Sequence, residues 1–292
     1  MAKNDRPTAN ERREAARERA RKVKAEQARR ARRNRILTIV AVVAGAALVV
    51  GVIGYIVWQG TRSPLDEYEG PVPENVEADG AIMVGQDGSA GSTTDGAPVI
   101  DVYADHTCSY CANFEEANGE GLQMLVSEGE AQAALRPVGL LDRSGDYSGY
   151  SGRGVEAMYV VADGAPELIF EANDALFDLW VGNLEVIQST GQEPSDEEII
   201  AALEGAGVPS EVASSITDDE YTEYVEAVTA QAVADGVEGT PTILIDGDEF
   251  TEGRYTPGGL YLEVTGNEQP AAETSSDAPA EAPSDESQSV AP

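Results

Sequence analysis

The sequence contains little cysteine, little histidine and, after its first 35 residues, no lysine. Its 292 residues include two cysteines and one histidine. Two cysteines cannot build the disulfide network of a small secreted scaffold, and with one histidine they cannot complete a four-ligand zinc site without carboxylates. With a formal net charge of −34, the chain also lacks the basic surface that nucleic acid binding requires. We therefore expect no nucleic acid partner, no metal ion and no bound cofactor.

Charge is distributed very unevenly along the chain. Residues 1–35 carry 14 Lys or Arg against five Asp or Glu, whereas the remaining 257 residues carry five Arg and 48 Asp or Glu. Residues 36–58 have no charged side chain, and a helix of that length spans about 34 Å, enough for a bilayer core of about 30 Å. A cleaved signal peptide has a shorter apolar region. The pattern thus predicts a single transmembrane signal anchor over residues 36–58, a basic cytoplasmic segment over residues 1–35 and an extracytoplasmic remainder at the cell membrane.

Two regions of biased composition flank the predicted domain. Residues 59–78 are rich in Gly, Pro and acids and are predicted to be an extracytoplasmic linker, and residues 266–292 are predicted to be a disordered acidic tail rich in Pro, Ala and Ser. Residues 79–265 are long enough for one α/β domain. The pattern predicts strands over 81–84 and 98–103, a helix from about 108 interrupted at 118–121, a strand over 133–141, a helical block at about 152–234, strands over 242–245 and 249–251, and a final short helix. Pro137 indicates that its strand lies at an edge or contains a bulge.

Both cysteines lie in one motif, Cys108-Ser109-Tyr110-Cys111, between a predicted strand and a predicted helix. This arrangement is typical of redox-active thiols. The free N–H groups and the dipole at a helix N-terminus favour a thiolate at Cys108, and salt screens the opposing acidic surface. Cys111, one turn later, is close enough to form a disulfide with Cys108. The alternatives are a structural disulfide, which gains little entropy by closing so short a loop, and a metal site, for which His106 is the only nitrogen ligand.

The sequence resembles the DsbA-like thiol–disulfide oxidoreductases, a thioredoxin-fold family, in the membrane-anchored form found in actinobacteria. Residues 108–116 match the pattern Cys-x-x-Cys-x-x-Phe-Glu-Glu, and residues 239–242, Gly-Thr-Pro-Thr, match the family's cis-proline loop. The resemblance covers about residues 80–265. It implies a thioredoxin-like α/β fold with an inserted helical block at about 152–234, preceded by the single transmembrane helix.

The resemblance also implies roles for four residues. Cys108 would be the exposed nucleophile, and Cys111 the buried thiol that resolves the mixed disulfide. Pro241 would be a cis-proline that faces the disulfide, and Thr240 would offer its backbone to an extended substrate. Without the resemblance, an ordinary trans-proline at the start of a strand is the more usual state for Pro241.

Two titratable residues near the motif have two interpretations each. Glu115 lies one helical turn after Cys111, and the resemblance implies an acid that moves protons to and from the buried thiol. The alternative is a solvated helix carboxylate. His106 occupies a position that is often aromatic in relatives, where it either is protonated and stabilises the Cys108 thiolate or packs as a neutral ring. The acidic surroundings favour the protonated form.

The resemblance implies an enzyme that forms disulfides in exported cysteine-containing proteins. Its reoxidation would need a quinone-linked membrane partner of the DsbB or VKOR kind. Ser109 and Tyr110 replace the histidine found between the cysteines of strongly oxidising relatives, which weakens any claim of a very oxidising potential. One alternative is a reductase or isomerase, which Thr240 and Tyr110 favour and the lack of a preceding dimerisation domain disfavours. The other is a tethered thioredoxin-fold binding module without redox activity.

Overall fold

The computed structural model describes residues 63–270, together with residues 22, 24, 29, 30, 50 and 51. Contacts divide the chain into two units, Met1–Arg62 and Ser63–Pro292. Apart from the six isolated positions, the predicted basic segment and the predicted transmembrane helix lie outside the described residues, as do residues 271–292 of the predicted tail. Within the part that is described, no helix combines the length and the apolar character needed to cross a membrane.

The second unit contains a mixed five-stranded sheet. Its strands lie in the order β1-β3-β2-β4-β5. Strands β2 and β3 are parallel, and every other neighbouring pair is antiparallel. The strand bounds are β1 Ile82–Val84, β2 Val99–Ala104, β3 Gln132–Pro137, β4 Thr242–Ile245 and β5 Asp248–Glu249. The hairpin between β4 and β5 turns at Asp246 and Gly247, whose φ angles of 50° and 87° are those of the tight turns that Asp-Gly favours.

Helices occupy both the connections of the sheet and a long insertion. Their bounds are α1 Ser109–Glu128, α2 Tyr150–Gly164, α3 Ile169–Gly182, α4 Leu184–Thr190, α5 Asp196–Gly205, α6 Ser210–Ser214, α7 Thr222–Ala234 and α8 Gly259–Thr265. Short 3₁₀ helices cover Leu65–Glu67, Pro166–Leu168 and Ser215–Asp218. The predicted order of strands, helical block, hairpin and final helix is confirmed. The helical block predicted at about 152–234 corresponds to helices α2 to α7.

One hydrophobic core joins the sheet to the inserted helices. It includes Ile100 of β2, Phe114 of α1, Ile243 of β4 and Tyr159 of α2, each 1 % exposed or less. Helix α8 packs along α1, α2 contacts β3, and α3 contacts α1. The contact between α1 and α3 places the inserted helices beside the N-terminal half of α1, where both cysteines lie.

Helix α1 is continuous through residues 118–121, so the predicted interruption is wrong. The Asn-Gly-Glu-Gly sequence disfavours a helix locally, but Asn118 and the two glycines are closely packed in the folded domain. A Cβ atom at Gly119 would overlap the Glu115 carboxylate, and one at Gly121 would lie 3.6 Å from Tyr261 Cβ of α8. Asn118 is buried, donates a hydrogen bond to the Arg254 carbonyl in the loop before α8 and accepts one from the Leu260 N–H of α8. Packing therefore explains these residues better than a break does.

Strand β3 is interior, so the prediction of an edge or a bulge at Pro137 is also wrong. The strand lies between β1 and β2 and ends at Pro137 rather than at residue 141. Its pairing with β1 ends at Leu135, opposite Ile82. Because β1 does not extend as far as Pro137, the missing N–H of the proline removes no hydrogen bond from that ladder.

Residues 63–78 pack on the domain, although their composition predicts a linker. The Tyr68 ring lies 5.4 Å from the Tyr224 ring of α7, and Asn75 Nδ2 donates a hydrogen bond to the Ala162 carbonyl of α2. Leu65 and Val76 also contact the core. Proline and glycine in this stretch shape a packed segment rather than a loose spacer.

Candidate active site

Cys108 lies where strand β2 gives way to helix α1. The strand ends at Ala104, residues 105–107 form a turn, and Cys108 is the N-cap of α1. The Cys108 carbonyl accepts hydrogen bonds from the backbone N–H groups of Cys111 (2.9 Å) and Ala112 (3.1 Å). The sequence therefore predicted the position of Cys108 correctly: its sulfur stands at a helix N-terminus, where free N–H groups favour an anion.

The loop that contains Thr240 and Pro241 lies beside this sulfur. The Thr240–Pro241 peptide bond is cis, the geometry that the family resemblance implies. Cys108 Sγ lies 3.3 Å from the Thr240 carbonyl oxygen. Although 129 residues separate Cys111 from Thr240 along the chain, β2 and β4 are antiparallel neighbours in the sheet, and this pairing brings the two loops together.

The two thiols are free and differ in environment. Cys108 is 6 % exposed and Cys111 1 % exposed, so the nucleophile expected to be exposed is itself largely buried. Phe177 of α3 belongs to the same buried cluster as the two cysteines and contributes to this burial. A polypeptide substrate therefore reaches Cys108 through a small accessible area, which limits which segments can approach it.

The pKa values of the two thiols move in opposite directions. A hydrogen bond from the Cys111 thiol is the largest cause that lowers the pKa of Cys108 to about 6, assisted by Thr240 and by backbone N–H groups against the opposing effect of burial. Burial raises the pKa of Cys111 far above its ordinary value. At neutral pH Cys108 is thus mainly a thiolate and Cys111 a thiol, the division of roles that thiol–disulfide exchange needs.

His106 is a buried ring, which favours the packed interpretation of the two that the sequence left open. The side chain is 1 % exposed, and burial lowers its pKa to about 4 despite the opposing charge of Asp105. Its Nε2 lies 3.3 Å from Asn173 Oδ1, and its ring centroid lies 4.7 Å from that of Phe177. Desolvation outweighs the acidic surroundings, and the alternative of a packed aromatic substitute describes His106.

Glu115 lies one turn below Cys111 and faces a second carboxyl group. Burial is the largest cause that raises the pKa of Glu115 to about 8, and the neighbouring Asp174 of α3 adds to the rise. Gln123 donates a hydrogen bond of 3.1 Å to Asp174. Glu115 and Asp174 line an open groove of about 540 Å³ between α1 and α3, which has room for water at the carboxyl groups. Glu115 is therefore no freely solvated helix carboxylate, and it holds a proton at neutral pH.

Asp105, which sequence reasoning missed, fastens the turn before Cys108. The carboxylate is fully buried and accepts four hydrogen bonds. Its Oδ1 accepts from Thr107 N (2.8 Å) and Thr107 Oγ1 (2.7 Å), and its Oδ2 accepts from Leu141 N (2.8 Å) and Ser151 Oγ (2.6 Å). Its backbone carbonyl accepts from Cys108 N at 2.9 Å. An aspartate between an apolar strand and a Cys-x-x-Cys motif was the available signal.

Titratable residues near the cysteines do not make a metal site. Across residues 63–270 and the six isolated positions, no group of three or more His, Cys, Asp or Glu residues is arranged to hold a metal ion. The arrangement instead suits a pair of sulfurs that exchange bonds: a stabilised thiolate, a buried thiol partner and a nearby carboxyl group that carries a proton.

Comparisons with known proteins agree with this chemistry. A family model described as thioredoxin matches residues 93–257, more than half of the chain. No curated protein matches the sequence.

Several solved structures resemble the fold at identities above 25 %. The MdbA thiol–disulfide oxidoreductase of Actinomyces oris has 26 % identity and a TM-score of 0.59, covering 70 % of this chain and 100 % of its own. The oxidised DsbA of Mycobacterium tuberculosis has 28 % identity and a TM-score of 0.52, covering 63 % of this chain and 90 % of its own. The reduced disulfide bond oxidoreductase DsbG of that organism has 28 % identity and a TM-score of 0.51, covering 65 % of this chain and 89 % of its own.

Proposed function

The chain belongs to the thioredoxin family, and we propose that it forms disulfide bonds in exported proteins through Cys108 and Cys111. It is a protein thiol–disulfide oxidoreductase with a thioredoxin-like fold and a helical insertion, similar to the MdbA and DsbA structures. The observation that carries the proposed direction is the opposite shift of the two thiol pKa values. A stabilised Cys108 thiolate favours the reduced enzyme and therefore favours transfer of the disulfide to a substrate.

The first step joins substrate and enzyme. A substrate thiolate attacks Cys108 Sγ of the oxidised enzyme, the Cys108–Cys111 bond breaks, and Cys111 leaves as a thiolate. Since burial raises the pKa of Cys111, this thiolate takes up a proton. Glu115, one helical turn away and protonated at neutral pH, supplies that proton and is reprotonated from the groove.

The second step releases the product. A second substrate thiolate attacks the substrate sulfur of the mixed disulfide, which forms the substrate disulfide and frees Cys108 as a thiolate. A pKa of about 6 makes Cys108 a good leaving group at neutral pH. Two electrons have then passed from the substrate to the enzyme. The enzyme dithiol must pass them on to an electron acceptor before the next cycle. The backbone of Thr240, beside the Cys108 sulfur, is placed to contact an extended substrate segment.

The proposal includes a place in the cell and a source of oxidising power. The uncharged segment 36–58, preceded by 14 basic residues, supports a single-pass anchor with its N-terminus in the cytoplasm and the catalytic domain outside the membrane. A quinone-linked membrane protein of the DsbB or VKOR kind is then the proposed electron acceptor. Exported proteins that contain cysteine are the proposed substrates.

Trapping the mixed disulfide tests the proposed roles of the two cysteines. The reduced full-length chain is mixed at pH 7 with a peptide that contains one disulfide, and the products are separated by mass. Cys111→Ser keeps the nucleophile but cannot resolve the intermediate, so we expect it to accumulate a covalent adduct with the peptide. Cys108→Ser should form no adduct, and Ser127→Ala, an exposed residue on the same helix, should behave like the wild type. An adduct in Cys108→Ser would contradict the mechanism.

A further inference from the structure

A loop of the domain is fastened beside the cysteines by the buried Asn118 of α1. Asn118 Nδ2 donates a hydrogen bond of 2.8 Å to the Arg254 carbonyl, and its Oδ1 accepts one of 2.8 Å from the Leu260 N–H. The Gly258 N–H donates to the Ala117 carbonyl at 2.9 Å. The helix that carries both cysteines therefore also fixes the position of Arg254 and Tyr255.

This loop completes an exposed aromatic surface at the motif. Tyr110, between the two cysteines, is 64 % exposed, and Tyr255 is 41 % exposed. Their ring centroids lie 6.1 Å apart, and the Arg254 guanidinium carbon lies 5.2 Å from the centre of the Tyr255 ring. Tyr110 belongs to the motif, so the contact between its ring and Tyr255 places the loop that carries Tyr255 next to the motif. Tyrosine and arginine are the residue types that dominate binding energy at protein interfaces.

Arg254 is one of few cationic side chains in a strongly acidic domain. Residues 63–270 contain 43 Asp or Glu and only four cationic side chains, all arginine. Arg136 and Arg153 are in ion pairs with Asp79, Asp101 and Asp196. The Arg254 guanidinium lies over the Tyr255 ring, and within residues 63–270 neither Arg254 nor Arg143 forms an ion pair with a carboxylate. A planar guanidinium held over a tyrosine is preorganised to bind a carboxylate from another molecule.

We propose that Tyr110, Tyr255 and Arg254 form a recognition surface for the polypeptide that reacts at Cys108, and that Arg254 selects segments with Asp or Glu beside the reacting cysteine. The inference rests on the proposed function and adds a substrate class to it. The tyrosine rings contact the apolar atoms of the segment, and the guanidinium binds its carboxylate. Long-range attraction would instead favour lysine, because the domain is strongly negative. Screening limits that field to about 8 Å at physiological salt, so the contact with Arg254 determines the preference.

Three peptides test the proposal on the oxidised full-length chain at 0.15 M salt. Each contains the same two cysteines and differs at one neighbouring residue, which is Glu, Gln or Lys. The rate constant for disulfide formation in a single turnover is measured for each. The wild type should oxidise the Glu peptide about fivefold faster than the Lys peptide. Arg254→Gln should abolish or reverse this order. Arg143→Gln, which removes the same charge from an exposed loop, should keep it.

The outcomes separate the inference from the proposed function. Equal rates for the three peptides, or a preference of the wild type for Lys, would overturn the role of Arg254 and leave disulfide formation intact. If Arg143→Gln and Arg254→Gln lost the preference for the Glu peptide equally, net charge would explain the preference. That result would also overturn the proposed role of Arg254. No oxidation of any peptide would overturn the proposed function itself. Because the wild type alone decides the sign of the preference, the test does not depend on the folding of a variant.

Discussion

The thioredoxin region, strands β1–β5 with α1 and α8, and the helical block, α2–α7, contribute differently to the site. The thioredoxin region supplies the reacting atoms: Cys108, Cys111 and the backbone of Thr240. The helical block supplies Phe177, which buries both sulfurs, and Asp174, which raises the pKa of Glu115. The first region thus determines which bonds are exchanged, and the second determines which neighbouring groups hold a proton.

The two regions also act on charge in opposite ways. Groups of the thioredoxin region lower the pKa of Cys108 to about 6. They are the Cys111 thiol, Thr240 and the backbone N–H groups at the start of α1. Burial, to which the helical block contributes, raises the pKa of Glu115 to about 8 and lowers that of His106 to about 4. Since the inserted helices add burial without adding a cation at these groups, they keep His106 neutral and Glu115 protonated around one stabilised thiolate.

Removing the Asp105 carboxylate should remove hydrogen bonds that join the two regions. Among the variants below, it should lower the stability of the folded protein most. Asp105 ties Thr107 to Ser151 of the helical block and to Leu141. In Asp105→Asn, an amide donor faces groups that are themselves donors. We expect the free energy of unfolding in urea to fall by about 2–4 kcal/mol. Asp95→Asn, an exposed control, should change it by less than about 0.5 kcal/mol, and an equally small change in Asp105→Asn would contradict the link.

Replacing Glu115 with a residue that does not titrate should produce a pH-dependent effect on stability. The pKa of Glu115 is raised from 4.5 to about 8 in the folded protein, so the native state keeps a proton that the unfolded chain has released. The free energy of unfolding therefore falls as the pH rises from about 4.5 to about 8. Reduced Glu115→Gln should lose this slope and be more stable than the wild type at pH 8, by at least about 1 kcal/mol.

The comparison variant for this measurement is Glu116→Gln, on the exposed side of the same helix. It should keep the wild-type dependence of stability on pH. The contradicting result is the same change in the free energy of unfolding between pH 5 and pH 8 in Glu115→Gln and in the wild type. It would mean that the helical block does not hold Glu115 in its protonated form.

The reacting atoms could be predicted from the sequence because short local patterns encode them. A strand, a Cys-x-x-Cys motif and a helix start are contiguous, so the position of Cys108 follows from local rules. The cis bond at Pro241 came only from the family resemblance. The partners from the helical block could not be predicted, because the packing of α3 on α1 brings Asp174 to Glu115 and Phe177 to the cysteines.

One wrong prediction and one open alternative share a physical reason. The interruption expected at residues 118–121 followed from local propensity, but Asn118 and the two glycines are explained by contacts with Glu115, α8 and the loop before α8. The charge expected on His106 followed from the composition of the surroundings, but burial determines its pKa. In both cases tertiary packing, which a linear pattern does not contain, outweighed the local signal.

The reduction potential of the Cys108–Cys111 couple in the full-length chain tests the central claim most directly. It is measured by equilibration with glutathione at pH 7, with the oxidised and reduced forms separated after thiol alkylation. Because the lowered pKa of Cys108 stabilises the reduced form, we predict a potential above that of thioredoxin, about −270 mV. A value at or below about −270 mV would contradict a disulfide-forming enzyme and indicate a reductase.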